Sequence, residues 1–153
     1  MMNVQSNEIT RQRMDLYRQT LREVGHDAGA IAKLVDQCWI WRNVVVAETD
    51  AEAERVGVPA FVAMTEQRAV LRNRVYAEQG VRIKAEAAAP PSRVDPKHAL
   101  ICGSPKTVAA AFRELDAIGV GGVIMSFRLG PMDHTTAVRS LTLFMKEVVP
   151  QLR

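Results

Sequence analysis

A chain of 153 residues with 48% hydrophobic and 24% charged side chains has apolar material for one soluble globular domain, spanning 1–153, and too little length for two. Twenty Lys and Arg against seventeen Asp and Glu leave a net charge of +3, with acids interleaved among bases. That balance argues against a nucleic-acid partner. No run approaches the roughly 20 apolar residues that span a bilayer, and the opening Met1-Met2-Asn3-Val4-Gln5 lacks the charged-then-apolar layout of a signal peptide, so no membrane partner and a cytoplasmic address are expected.

Ser6 and Asn7 are candidate caps for a first helix. In it Met14, Tyr17, Leu21 and Val24 recur at three- and four-residue steps, and Gly25 stops the pattern. Ala28 to Val35 suits one short further helical turn. Cys38 to Ala47 is the clearest strand, rich in aromatic and β-branched residues, and its second half is apolar on both faces. Such a run suits a central strand of a parallel sheet covered on both sides. Thr49 and Glu52 have capping-box spacing, so a helix begins near Asp50. Gly57 and Pro59 are expected to interrupt it, with a longer helix carrying Phe61, Met64, Val70, Leu71 and Val75 following to about Tyr76.

From 79 to 97 the composition (Gly80, the alanine-rich run Ala85 to Ala89, Pro90, Pro91, Ser92, Pro96) predicts a surface loop. His98 to Cys102 forms at best a short strand, and Ser104 with Pro105 opens a helix whose buried face is Val108, Phe112, Leu115 and Ile118. Gly119 closes that helix. Val123 to Phe127 is the next strand, Gly130-Pro131 a turn, and Asp133 the cap of a last helix carrying Ala137, Leu141, Phe144, Met145 and Val148 and ended by Pro150. The fold class is α/β, mostly helical, with two or three parallel strands.

In that order the residues Trp41-Arg42-Asn43-Val44-Val45-Val46-Ala47-Glu48-Thr49-Asp50 with Ala53, Gly103-Ser104-Pro105 with Val108, Gly119 through Met125, Phe127 through Pro131, and Leu143-Phe144 to Val149-Pro150 resemble the C-terminal portion of the luciferase-like flavin monooxygenases. The resemblance covers nearly the whole chain and lies in the ordered combination, since Gly-Ser-Pro before a helix is common capping chemistry. It implies an incomplete (β/α)8 TIM-barrel fragment, with Trp39 to Ala47 as the seventh strand and Val123 to Phe127 as the eighth. The implied chemistry is that of an oxidoreductase using reduced flavin (FMN) and dioxygen to oxidise a small organic substrate with incorporation of oxygen. A complete barrel of this class takes about 250 residues, with its site on loops at several strand mouths. Two mouths supply no complete catalytic set. The resemblance therefore implies a truncated form, inactive alone, completed by a missing N-terminal half or by a copy of itself, because both strands would otherwise carry unpaired edges.

Arg128 is the first site candidate: past the eighth strand its guanidinium can meet a flavin phosphate or pair with a loop carboxylate. Ser104, with the free amides of the helix it opens, is the second, against plain capping. Thr49 is explained by its cap. His26, His98 and His134 are scattered, Cys38 and Cys102 have no ligand spacing, and no metal is expected. Trp39 and Trp41 share one strand face, where packing against helices competes with stacking on a ring. No triad, nucleophile elbow, P-loop or dinucleotide fingerprint is present.

Overall fold

In the computed structural model, which describes residues 6–81 and 94–152, two helices precede the first strand: α1 (Asn7–Glu23) and α2 (Ala28–Asp36) lead into β1 (Trp39–Val46). Then come α3 (Asp50–Glu78), a single helical turn α4 (Pro96–Ala99), β2 (Leu100–Gly103), α5 (Pro105–Ile118), β3 (Gly122–Ser126) and α6 (His134–Leu143). A wide π-type turn over Phe144–Val148 and a tight one over Val149–Leu152 follow. The three strands form one parallel sheet in the order β2-β1-β3. β1 is therefore central, as its two-faced apolar run requires, and the open edges belong to β2 and β3 rather than to β1. The strands expected as seventh and eighth, β1 and β3, are direct neighbours, and β2 adds to the opposite side of β1.

Alternation along β1 sends Val45 to one face and Val44 and Val46 to the other. Under Val45 lie Ala53, Ala60, Phe61 and Met64 of α3, together with Leu129, Met132 and Ala137. Val44 and Val46 pack on Val108 and Ala109 of α5 and on Phe144 and Val148. Nearer the start of β1, Ile40 joins Met14 of α1 and Leu115 and Ile118 of α5. Each fully buried aliphatic or aromatic side chain here removes enough surface from water to contribute roughly 1.5–3 kcal/mol. β3 is too short to pair with the last residues of β1, and α6 completes that side: the Ser140 hydroxyl accepts from the Val46 amide at 2.8 Å.

Arg42, 1% exposed, is buried on the α5 face of β1. Its guanidinium donates to the Trp41 carbonyl (2.9 Å), Asn7 Oδ1 (3.2 Å) and Thr10 Oγ1 (3.4 Å). No carboxylate touches it among the described residues, and burial lowers its pKa from the ordinary arginine value. At the other end of α1, Arg18 donates to the Ile118 and Gly119 carbonyls that end α5.

Several expectations give way. Gly57 and Pro59 do not interrupt α3, which runs unbroken for 29 residues. Gly57 is a contact residue: a Cβ there would stand 2.9 Å from Cys102 Sγ and 3.1 Å from Val45 Cβ, so its absence lets the helix lie close on the sheet. Pro59 faces solvent, where the Arg55 carbonyl it cannot pair with is open to water. Val70, Leu71 and Val75 are 66%, 53% and 44% exposed instead of buried, because α3 outruns the sheet. Val24, Leu141 and Met145 are likewise exposed at element ends or on outer faces. His98 and Ala99 belong to the turn α4 and not to the strand. Pro150 falls within the final tight turn rather than ending a continuous helix. Most of the loop expected over 79–97 lies outside the described residues.

Candidate functional site

All three strands point the same way, so their following loops meet at one end of the sheet. β1 hands over to α3 on one face, and β2 to α5 on the other. Adjacent strands whose crossovers diverge open a crevice at their carboxyl ends, where open α/β sheets bind ligands. The N-termini of α3 and α5 both face this crevice. Thr49 caps α3 by accepting from the Glu52 amide at 3.1 Å, as its spacing foretells. Ser104 behaves differently. Its side chain makes no cap bond to the helix; its hydroxyl reaches Thr107 Oγ1 at 3.2 Å, and its amide donates to Asp50 Oδ1 at 2.6 Å.

Asp50 thus supplies a carboxylate to the start of α5 as well as to its own helix dipole. The Ser104 amide, then the Thr107 and Ser104 hydroxyls, hold its carboxyl below the ordinary value of 3.8. Chemically the crevice is an anion seat already filled by a side chain. Beside it, Arg139 of α6 reaches Glu48 Oε2 at 2.7 Å and Glu52 Oε1 at 3.4 Å. Hydrogen bonding from Arg139 holds Glu48 ionised below the usual carboxylate range, and the same bond raises the arginine. Arg139 and Glu52 wall a cleft of about 290 Å³ together with Arg55, Val56, Thr136, Ser140 and the last residues of β1. Carboxylates held ionised in this way are not proton donors at neutral pH.

Arg128 follows β3 at the same end of the sheet. It is exposed, and no hydrogen bond or ion pair involves it among the described residues. Its loop is fixed by its neighbours: Leu129 is fully buried, and Gly130 packs against Met64 and the Ala60 carbonyl of α3. The structure sets Arg128 and Ser104 on loops after different strands, with Asp50 bonded to the second and nothing bonded to the first. Trp39 is 46% exposed with its ring over Gly122, and Trp41 is half-buried on the same face. His26, His98 and His134 are exposed; among the described residues His98 alone comes within 4 Å of a carboxylate oxygen, that of Asp95 at 3.9 Å. Cys102, under Gly57, has its thiol pushed up to about 12, first by burial and then by Glu54 and Asp50, and is unreactive. Arg139 and the second role of Asp50 escape sequence reasoning: their partners lie 91 and 54 positions away, and no local pattern marks such pairs.

No family model and no curated protein sequence matches this chain. Its fold is shared with part of the luciferase-like monooxygenases. A monooxygenase from Streptomyces bottropensis superposes with a TM-score of 0.63 at 18% identity, over 96% of this chain and 39% of the other. The oxygenating constituent of 3,6-diketocamphane monooxygenase from Pseudomonas putida, solved with FMN, gives 0.55 at 19% identity, over 99% and 42%. A tetrahydromethanopterin reductase from Methanopyrus kandleri gives 0.54 at 19%, over 99% and 44%. At these identities the likeness concerns the fold, and the chain spans about two fifths of the length of each of these three structures.

Proposed function

We propose that this chain is the C-terminal part of a luciferase-like flavin-dependent monooxygenase and has no turnover by itself. The observation that carries the reading is the disproportion of the match: nearly all of this chain aligns, yet it answers to about two fifths of each of these neighbours. Reduced flavin with dioxygen supplies the oxidising chemistry of such enzymes. The residues present do not make a whole flavin site. The cleft at the end of β1 mixes the charges of Glu52, Arg55 and Arg139 with Val45, Val46, Ala47 and Val56 and has no aromatic side chain among its described lining residues on which a flat ring could stack, and the amide of Ser104 is taken by Asp50. What this chain offers a flavin is Arg128 for its phosphate and, with Asp50 displaced, the start of α5.

Two measurements test this reading. Purified protein supplied with a flavin reductase, FMN and candidate substrates should show no oxidation above background; steady turnover lost on Arg128→Ala would overturn the proposal. In a fluorescence titration FMN should bind no tighter than about millimolar and weaken with salt, while riboflavin, lacking the phosphate, should not bind measurably. Asp50→Asn, which removes the carboxylate competing for the Ser104 amide, should strengthen FMN binding several-fold. Equal binding of FMN and riboflavin would mean that the ring itself is recognised, and would refute the phosphate-only assignment.

A further inference from the structure

β3 pairs with β1 along its inner edge, and no backbone hydrogen bond reaches its outer edge among the described residues. Natural sheets defend such edges with charge, proline or extreme shortness. β2, at the other edge, has these defences: it is four residues long, with Pro96 and Lys97 before it and Pro105 after it. β3 is also short, at five residues, but Val120 to Phe127 contains no charged residue and no proline, and Arg128 is the first charge beyond it. Beside it runs a groove of about 250 Å³ whose apolar lining is Val123 of β3, Phe112, Leu115, Val120 and Leu152, with Arg113 and Asp116 of α5 also on its walls.

We propose that the outer edge of β3 pairs antiparallel with β3 of a second copy, about a two-fold axis at Ile124, joining two three-stranded sheets into one of six. The side-chain pattern fits this occupant. Val123 lies in register with Ile40, on the α5 face, and Met125 with Arg42 on that same face, where Met125 is 37% exposed. A two-fold through Ile124 sets the partner's Met125 directly opposite Val123, over the groove, and a flexible thioether chain suits such an irregular space. On the other face Ile124 is in register with Trp41, so the partner's Ile124 extends one row across both sheets from Trp41 to the partner's Trp41. Self-complementarity of this kind is what a closed two-fold dimer requires. Backbone bonds supply the affinity and the Met125 groove the specificity. The inference shares with the flavin reading only the premise that this sheet needs more polypeptide, and its test contains no flavin, so either can fail alone.

Size-exclusion chromatography with light scattering, from about 1 to 500 μM, should show a dimer that dissociates on dilution. Met125→Lys puts a charge on the edge and into the groove; it should raise the dissociation constant at least about tenfold and leave circular dichroism and melting of the monomer unchanged. Ile124→Cys should form a covalent dimer on mild oxidation, because residues facing each other across an antiparallel pair are about 4.5–5.5 Å apart at Cα, within disulfide reach. Peptide mapping should find the bridge between the two introduced thiols. A monomer at every concentration overturns the proposal, and so does an oligomer that survives Met125→Lys without forming that bridge.

Discussion

The two halves of α3 have nearly the same apolar spacing and opposite fates. From Asp50 to Met64 the helix buries Ala53, Gly57, Ala60, Phe61 and Met64, whereas from Thr65 to Glu78 it buries nothing. Yet Leu71 and Val75 continue the stripe begun by Phe61 and Met64 at helical steps. What differs is the material underneath. The first half has Val45, Cys102 and the Leu129 loop against it; α3 is about 43 Å long at 1.5 Å per residue and simply passes beyond them. Periodicity therefore establishes a helix and a stripe, and burial depends on whether another element reaches that stripe.

The contrast breaks most visibly at Phe61. Truncation by Phe61→Ala should lower unfolding free energy by about 3–5 kcal/mol in urea titrations, by lost transfer energy plus the cavity left behind. Gly57→Ala should cost about 1–3 kcal/mol, since the new methyl meets Cys102 and Val45 at distances the packed sheet cannot easily relax. A result near zero would show that the helix can lift off the sheet without loss.

Asp50→Asn gives a smaller effect with a distinctive pH signature. Because the carboxyl of Asp50 is held below its ordinary 3.8, its stabilisation is present above that value and is lost as pH falls through the depressed range. Wild type should therefore be more stable than the variant at neutral pH, and the two curves should begin to converge only as the pH falls below 3.8, through the depressed range. A gap that persists in acid would mean that the amide substitution perturbs packing, not charge. In the second half of the helix, Leu71→Ala should change stability by less than about 0.5 kcal/mol; a loss comparable to that at Phe61 would reveal a partner on the exposed stripe.

Local chemistry was legible in the sequence. Thr49 and Asp133 both cap helices through their side chains, Gly119 ends α5 in the left-handed conformation, and β1 falls within one residue of its expected limits. These features depend on neighbours a few positions away. Pro59 misleads because its cost is set by which side of the helix faces water, and Val70, Leu71 and Val75 mislead because helix length against sheet width is a tertiary quantity. The sheet order is also hidden, since short apolar runs such as β2 and β3 carry no label for the partner each will choose. At the site, Arg128 and Ser104 do fall at the carboxyl end of the sheet as their strand positions imply, while the Asp50 carboxylate at the Ser104 amide is a contact no spacing rule could supply.

Arg42 gives the N-terminal helix a standing its amphipathic pattern conceals. A cation sealed against the sheet is costly unless its donors are met, and two of its three acceptors, Asn7 and Thr10, come from α1. Trimming those first helical turns, as one would trim a frayed terminus, leaves the buried guanidinium with the Trp41 carbonyl alone. The damage would then appear not as a shorter helix but as water drawn into the interior, with amides of β1 exchanging hydrogen far from the cut.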